Sequence, residues 1–246
     1  LLQGILDAAA GSTAPPLHKL RWMLPTGEAL QPQLCRNWFE RYPHIPLMNA
    51  YGPAECADDV AMAPITVPPA RERVCMPIGW PIQNVRLYVV DRWLGPTPIG
   101  VPGELCVGGI AVGRGYLQDS ARTAEAFVPD PFGRELGARL YRTGDRVCRR
   151  ADGSLEFLGR FDHQVKLRGV RIELGEIEAR LRELPDIRDA VAALREDSPG
   201  HKRLTAYVVP SVAGDNQSAF WRAALRTQLP DAMVPACFVL LEALPR

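Results

Sequence analysis

The 246-residue sequence predicts an α/β core portion, then a β-rich distorted-barrel subdomain, then a small α+β C-terminal subdomain. Three observations carry this. The first 60 or so residues alternate short apolar runs with a helical stretch, as α/β sheets do. Residues 79–160 break into short β-rich runs separated by Pro and Gly turns. From His163 onward a charged hairpin gives way to alternating helices and strands.

The elements follow in order. The start, LLQGILDAAAG, lacks a basic leader and carries Gln3 and Asp7, so it reads as an amphipathic helix rather than a signal peptide. Leu20–Leu24 reads as a buried strand ending at Thr26-Gly27, a helix is expected from Glu28 to Arg41, and Ile45–Asn49 as a second strand running into Tyr51-Gly52-Pro53. In an open α/β sheet, ligands bind in loops beyond the carboxyl ends of strands. That places loops 25–28 and 49–59 at the site. Val85–Asp91, Gly103–Val107 and Ser154–Gly159 read as strands, with Asp152-Gly153 a hairpin signal. Next come a hairpin over Gln164–Arg171, a helix at Leu174–Leu184, strands at Ile187–Leu194 and Leu204–Val209, a helix at Gln217–Leu229 and a strand at Cys237–Leu241. The expected boundaries are 1–161 for the larger part (α/β layer about 1–78, β-rich part about 79–161) and 162–246 for the C-terminal part, hinged at Asp162.

Composition narrows the function. A net charge of +1 leaves no polyanion footprint, so neither nucleic acid nor a membrane surface is an expected partner. No apolar run approaches the roughly 20 residues of a membrane span. The six cysteines are scattered without a CxxC pair, which fits buried, reduced thiols in a cytoplasmic protein. No initiator Met opens the chain, so it reads as part of a longer protein.

The chemistry concentrates in four places. In Asn49-Ala50-Tyr51-Gly52-Pro53-Ala54-Glu55, Gly-Pro fixes a tight turn that puts Asn49 and Glu55 on one rim. Asn can read a base edge, Tyr can stack, and Glu is an oxygen ligand that Mg²⁺ accepts beside phosphates. Asp145, in Thr143-Gly144-Asp145, can chelate two hydroxyls or simply cap its own turn. Arg160 can meet an anion or lie on the surface. Gln164–Glu176, QVKLRGVRIELGE, is either a functional or a merely solvated hairpin. Neither GxGxxG nor GxxxxGK occurs, which leaves dinucleotide and P-loop sites without support.

In this order, the motifs resemble those of the adenylate-forming superfamily, specifically the amino-acid adenylation domains of nonribosomal peptide synthetases. NAYGPAE is similar to N-x-Y-G-P-T-E, TGD is retained, GEL and GYL (Gly103–Leu105, Gly115–Leu117) match a segment given a structural role, and QVKLRGVRIELGE is close to Q-V-K-I-R-G-x-R-I-E-L-G-E. Leu229–Pro235 is similar to L-P-x-Y-M-[IV]-P. The chain departs from the pattern at Ala54, where the family's Thr meets the α-phosphate, and at Ala232, where it has Tyr. The loss at Ala54 is one hydrogen bond, about 1 kcal/mol.

The resemblance implies ATP and Mg²⁺ as cofactors, an amino-acid substrate, and a peptidyl carrier domain bearing phosphopantetheine, with other synthetase domains in cis, as partners. It implies nucleotide binding by Gly27, Asn49, Ala50, Tyr51, Asp145 and Arg160, with Glu55 and Arg160 catalytic and Glu55 also the metal ligand. Asp162 would be the hinge, and Lys166, Arg168 and Gly169 part of the hairpin that serves the thioester-forming state. The family's catalytic Lys is expected beyond Arg246 and its phosphate loop before Leu1, so the fragment alone is expected to be inactive. The substrate pocket would be lined by Leu24, Thr26, Ala50, Asp58 and Asp59. Two carboxylates facing a small closed pocket repel unless a cation joins them. That favours an amino acid with a charged amine on its side chain, unless the acidic pair simply faces solvent; the set Leu/Thr/Ala/Asp/Asp resembles pockets that activate 2,4-diaminobutyrate, with ornithine the runner-up. An acyl- or aryl-CoA ligase and a non-catalytic carrier-docking fragment are the alternatives. The peptide product, whether a siderophore or an antibiotic, is not encoded here.

Overall fold

The computed structural model describes residues 2–10, 17–133, 135–167, 169–197, 202–211 and 217–244. The chain divides into two compact units, Leu1–Asp162 and His163–Arg246. The fold is mixed α/β, with separate sheets in the two units.

In the first unit, helices α1 (Leu2–Ala10) and α2 (Pro32–Arg41) precede strand β1 (Leu47–Tyr51). Cys35, Trp38 and Phe39 of α2 pack with Leu2, Leu47 and Ile65 in one core. The Trp38 indole N–H donates to the Ile45 carbonyl at 2.8 Å, so the buried ring leaves no orphan donor. Helix α2 starts at Pro32, not Glu28, because proline suits the first helical position, where its missing N–H breaks no bond. The strand expected at Leu20–Leu24 shrinks to a single parallel bridge, Met23 to Leu47. Met23 N–H reaches Pro46, Met48 N–H returns to Met23, and Ala50 N–H reaches Pro25 at 3.0 Å. Pro25 has no N–H to complete the next rung, so the ladder stops.

Strands β2 (Ala61–Ile65), β3 (Pro77–Pro81), β4 (Val85–Val90), β5 (Gly103–Gly109), β6 (Phe127–Pro129), β7 (Arg139–Arg149) and β8 (Leu155–Arg160) join β1 in one sheet. Its order is β1-β2-β3-β8-β7-β5-β4, with β6 on β7. The pairings among these strands are antiparallel, including β1 with β2, while β1 also keeps the parallel bridge to Met23. β3 pairs with β2 on one side and β8 on the other, so the sheet runs without a break across residues 78–79. Val60, Ile78, Leu87, Leu105, Val107, Tyr141, Val147 and Leu155 form the second core, on which the site is built. At the β7–β8 turn, Asp152 accepts from the Ser154 N–H and hydroxyl at 3.0 and 2.6 Å, and Gly153 takes φ 83°. Helix α3 (Ser120–Ala126) is capped by Asp119, which accepts from Arg122 N–H.

In the second unit, β9 (Gln164–Leu167) and β10 (Val170–Glu173) form the hairpin, and α4 (Leu174–Arg182) follows directly. α4 buries Leu174, Ile177 and Leu181, at spacings of three and four. β11 (Ile187–Glu196), β12 (Lys202–Pro210) and β13 (Cys237–Leu240) form a three-stranded sheet, and α5 (Ser218–Arg226) sends Trp221 and Leu225 into the same core. α5 ends three residues short of the expected Leu229: Thr227 closes the last turn onto Ala224, and Leu229 precedes Pro230, which disfavours helical backbone.

Three of the six free cysteines, Cys35, Cys56 and Cys106, are buried, and burial pushes each thiol up to about 12. Cys75, Cys148 and Cys237 are only half-buried, where full burial was expected. No helix among the described residues is long and apolar enough to cross a membrane.

Candidate active site

The loop after β1 is a closed excursion, since Val60 N–H returns to the Tyr51 carbonyl at 2.8 Å. Inside it, Gly52 lies so close to Asp58 that a β-carbon would sit 1.4 Å from the Asp58 carbonyl oxygen. Only glycine fits there. Pro53 leads into a 3₁₀ turn, Ala54–Cys56, whose buried Cys56 anchors it. Ala57 and Asp58 then take left-handed backbone, φ 56° and 74°. Glu55 emerges from this turn. Its Oε1 accepts from the Tyr116 hydroxyl at 2.8 Å, and its backbone carbonyl accepts from Gly113 N–H at 2.9 Å. Asn49 and Ala50 lie buried in β1, and the Asn49 amide donates to the Pro77 carbonyl at 2.7 Å. That bond fixes which way the amide faces.

The second group of predicted residues comes together around Asp145, which is 7% exposed. Its carboxylate accepts from the Tyr51 hydroxyl and from Arg160 Nη1. Arg160 also clamps both Asp162 oxygens through Nε and Nη2, each at 2.6 Å. Asp145 faces Arg160 because the two are paired in the β7–β8 register. Gly144, at φ 71°, makes the approach possible: a β-carbon there would meet Arg160 Nη2 at 2.8 Å. Thr143 is buried, its hydroxyl donating to the Leu105 carbonyl and accepting from Asp145 N–H. Burial, then the Asp145 charge, pushes the Tyr51 phenol well above its ordinary range, so Tyr51 is a neutral donor. The Asp162 and Asp145 carboxylates outweigh burial at Arg160 and keep its guanidinium charged. The expected two-hydroxyl chelate at Asp145 thus starts from a carboxylate already engaged by Tyr51 and Arg160.

The five expected pocket positions are less enclosed. Loops 25–28 and 49–59 do meet: the Thr26 hydroxyl donates to Asp59 Oδ1 at 3.3 Å. Ala50 is buried, Leu24 is half exposed, and Gly27 turns the first loop at φ 89°. The described residues do not close a pocket around the acidic pair. The left-handed backbone at Ala57 and Asp58 leaves the Asp58 side chain exposed, and Asp59 is half-buried. Burial, and then the Asp58 charge, raises the Asp59 carboxyl, while the Thr26 hydroxyl lowers it.

The remaining predicted residues lie on the second unit's hairpin, apart from Asp162, the last residue of the first unit. Lys166 is half-buried, opposite Arg171. Gly169 takes φ 80° with no neighbour within 4 Å of a would-be β-carbon. Arg168 lies outside the described residues. Sequence reasoning treated Gly113–Leu117 as a glycine corner and missed Tyr116, whose hydroxyl meets Glu55; a tyrosine among glycines was the available signal.

The donor set suits Mg²⁺. No group of three or more His, Cys, Asp or Glu able to hold a metal occurs among the described residues. Mg²⁺ needs no such cage, binding through one or two carboxylates together with phosphates and waters. Glu55, held on one side by Tyr116, supplies one such carboxylate.

The profile of the AMP-binding enzyme family matches residues 1–117. The chain is 45% identical, over its whole length, to phosphinothricin tripeptide synthetase PhsB of Streptomyces viridochromogenes, of which it spans 20%. It is 52% identical over 199 residues to tyrocidine synthase 3 of Brevibacillus parabrevis, covering 81% of this chain and 3% of the relative. The chain therefore spans a small part of its curated relatives. Among solved structures, the Vibrio cholerae adenylation domain AlmE, in complex with glycyl-adenosine-5′-phosphate, superposes with TM-score 0.83 at 28% identity, over 100% of this chain and 46% of AlmE. PA1221, a nonribosomal peptide synthetase protein containing adenylation and PCP domains, gives TM-score 0.76 at 32% identity, over 94% and 45%.

Proposed function

Because this chain belongs to the AMP-binding, adenylate-forming ligase family, as an adenylation domain of the nonribosomal peptide synthetase type, we propose that it is the latter part of such a domain. The whole domain would activate a short basic amino acid as its aminoacyl-AMP and pass the acyl group to a carrier-domain thiol. The observation that carries this reading is the Tyr51–Asp145–Arg160–Asp162 cluster at β7 and β8, tied through the Tyr51 hydroxyl to β1, which leads into the Asn49–Glu55 loop. It offers a hydroxyl acceptor and a guanidinium, and Glu55, in the loop that follows β1, offers a metal-type carboxylate.

In this reading Asn49 and Ala50 face the adenine, Tyr51 bounds it, and Gly27 lies on the facing loop. Asp145 takes the ribose hydroxyls, sharing or displacing its bond from Tyr51. Arg160, held by Asp145 and Asp162, presents fixed charge to ribose and phosphate, a preorganised stabiliser of developing negative charge. Glu55 would hold Mg²⁺, which when bound neutralises phosphate charge. Asp162 is the hinge, and Lys166, Arg168 and Gly169 belong to the hairpin used when the carrier's phosphopantetheine arm enters. The protein would work in the cytoplasm with its carrier and other synthetase domains in cis.

Selectivity rests on Leu24, Thr26, Ala50, Asp58 and Asp59. The raised Asp59 carboxyl beside Asp58 supports a cationic side chain, since a cation would relieve both desolvation and repulsion. We favour 2,4-diaminobutyrate over ornithine; a methylene is worth only about 1–3 kcal/mol of discrimination, so some ornithine turnover is expected. The test is amino-acid-dependent ATP–pyrophosphate exchange by the intact protein that carries this chain, across diaminobutyrate, ornithine, lysine, leucine and a fatty acid. Exchange led by a basic amino acid supports the reading. A leucine-led profile would discard the acidic pocket, a fatty-acid-led one would favour an acyl-CoA ligase, and silence throughout would leave a carrier-docking fragment.

A further inference from the structure

We propose that Tyr116 is a positioning residue that fixes the Glu55 carboxylate for Mg²⁺; the inference rests on the adenylation reading above. Two separate bonds tie Glu55 to the segment 113–116. Tyr116 donates its hydroxyl to Glu55 Oε1 at 2.8 Å, and Gly113 N–H meets the Glu55 carbonyl at 2.9 Å. That segment is itself anchored to the sheet. Arg139 on β7 donates to the Gly113 and Arg114 carbonyls, both at 2.9 Å. Tyr116 N–H donates to the Thr123 hydroxyl at 2.9 Å. The ring is held edge-on against Phe127, 5.6 Å between centroids, and the Arg122 guanidinium covers its face at 4.5 Å. The Tyr141 hydroxyl lies 3.5 Å from that of Tyr116.

A glutamate side chain has several rotatable bonds, and ordering them on metal binding carries an entropic penalty. A hydroxyl that already holds one oxygen removes part of that penalty before the metal arrives. The bond is charge-assisted and sits on a ring that cannot swing away, so it selects one carboxylate orientation. It leaves the nucleotide's own contacts at Asn49, Asp145 and Arg160 untouched.

The test measures equilibrium ATP binding to the intact protein in EDTA and in Mg²⁺, together with the melting temperature. Tyr116→Phe keeps the ring and its packing and removes only the hydroxyl. It should bind ATP in EDTA as the wild type does and remain folded, while the Mg²⁺-dependent gain in affinity falls about fivefold, because the Glu55 side chain must then be ordered as the metal binds. Glu55→Gln should lose the same gain, and the double variant should be no worse than Glu55→Gln alone. An undiminished Mg²⁺ gain in Tyr116→Phe, or an equal loss of affinity in EDTA, would overturn the positioning role. A full gain in Glu55→Gln would overturn it too, while leaving the adenylation reading in place. Failure of the wild type to bind ATP would remove the adenylation reading itself.

Discussion

Asp145 and Asp162 hold the same guanidinium but are not equivalent. The Asp145 side chain is 10% exposed and Asp162's is 42%. Removing one partner of a buried ion pair strands the other charge, whereas an exposed pair contributes little. Asp145→Ala should therefore destabilise the protein by about 3 kcal/mol, and Asp162→Ala by less than about 1 kcal/mol, as read by denaturant unfolding. Comparable losses would contradict the burial argument. Asp59 makes a prediction in pH. Its folded carboxyl is raised, so the folded state prefers it protonated; that preference is fully expressed below the unfolded carboxyl range and is lost as pH rises through the folded value. Asp59→Asn should then raise the melting temperature at neutral pH by about 2 °C or less, with the gain vanishing under acid conditions. A gain that persists in acid would point to some other cause. Asp145 and Arg160 were legible in the sequence because each sits in a short motif, Thr143-Gly144-Asp145 and Gly159-Arg160-Phe161-Asp162, that resembles the family's. Their mutual engagement was not, since it depends on the β7–β8 register.

At the scale of elements, two glycines predict opposite responses. At Gly52 a β-carbon would strike the Asp58 carbonyl, which is backbone and cannot step aside. Gly52→Ala should cost about 4 kcal/mol or more, or abolish soluble expression. At Gly169 the surroundings are open and only the left-handed backbone opposes a side chain, so Gly169→Ala should cost about 1–2 kcal/mol. Melting temperatures of the two variants check this, and equal shifts would refute it. Helices α1, α2, α4 and α5 and the Asp152-Gly153 hairpin could be read from apolar spacing and turn residues, whereas α3, which buries no residue, could not. The strand at Leu20–Leu24 could not, because its apolar run resembles a buried strand while Pro25 withholds the N–H that would extend it. The strand-loop-helix-strand grammar carried the parallel direction of Met23 beside Leu47, but it said nothing of β2, the antiparallel partner of β1.

Across the whole molecule, each unit carries its own core. Trp221 is fully buried in the second. Trp221→Ala should destabilise that unit by about 3–5 kcal/mol and leave unfolding of the first unchanged, which residue-resolved hydrogen exchange would separate. A matching loss of protection around Trp38 would show that the two melt as one. The same division bears on how such genes recombine. A crossover between codons 162 and 163 leaves every strand pairing with its parental partners, because no described sheet spans that point. A crossover between codons 78 and 79 would join β2 of one parent to β8 of another through a hybrid β3. Shuffled descendants of this chain should survive exchange at the first position far more often than at the second.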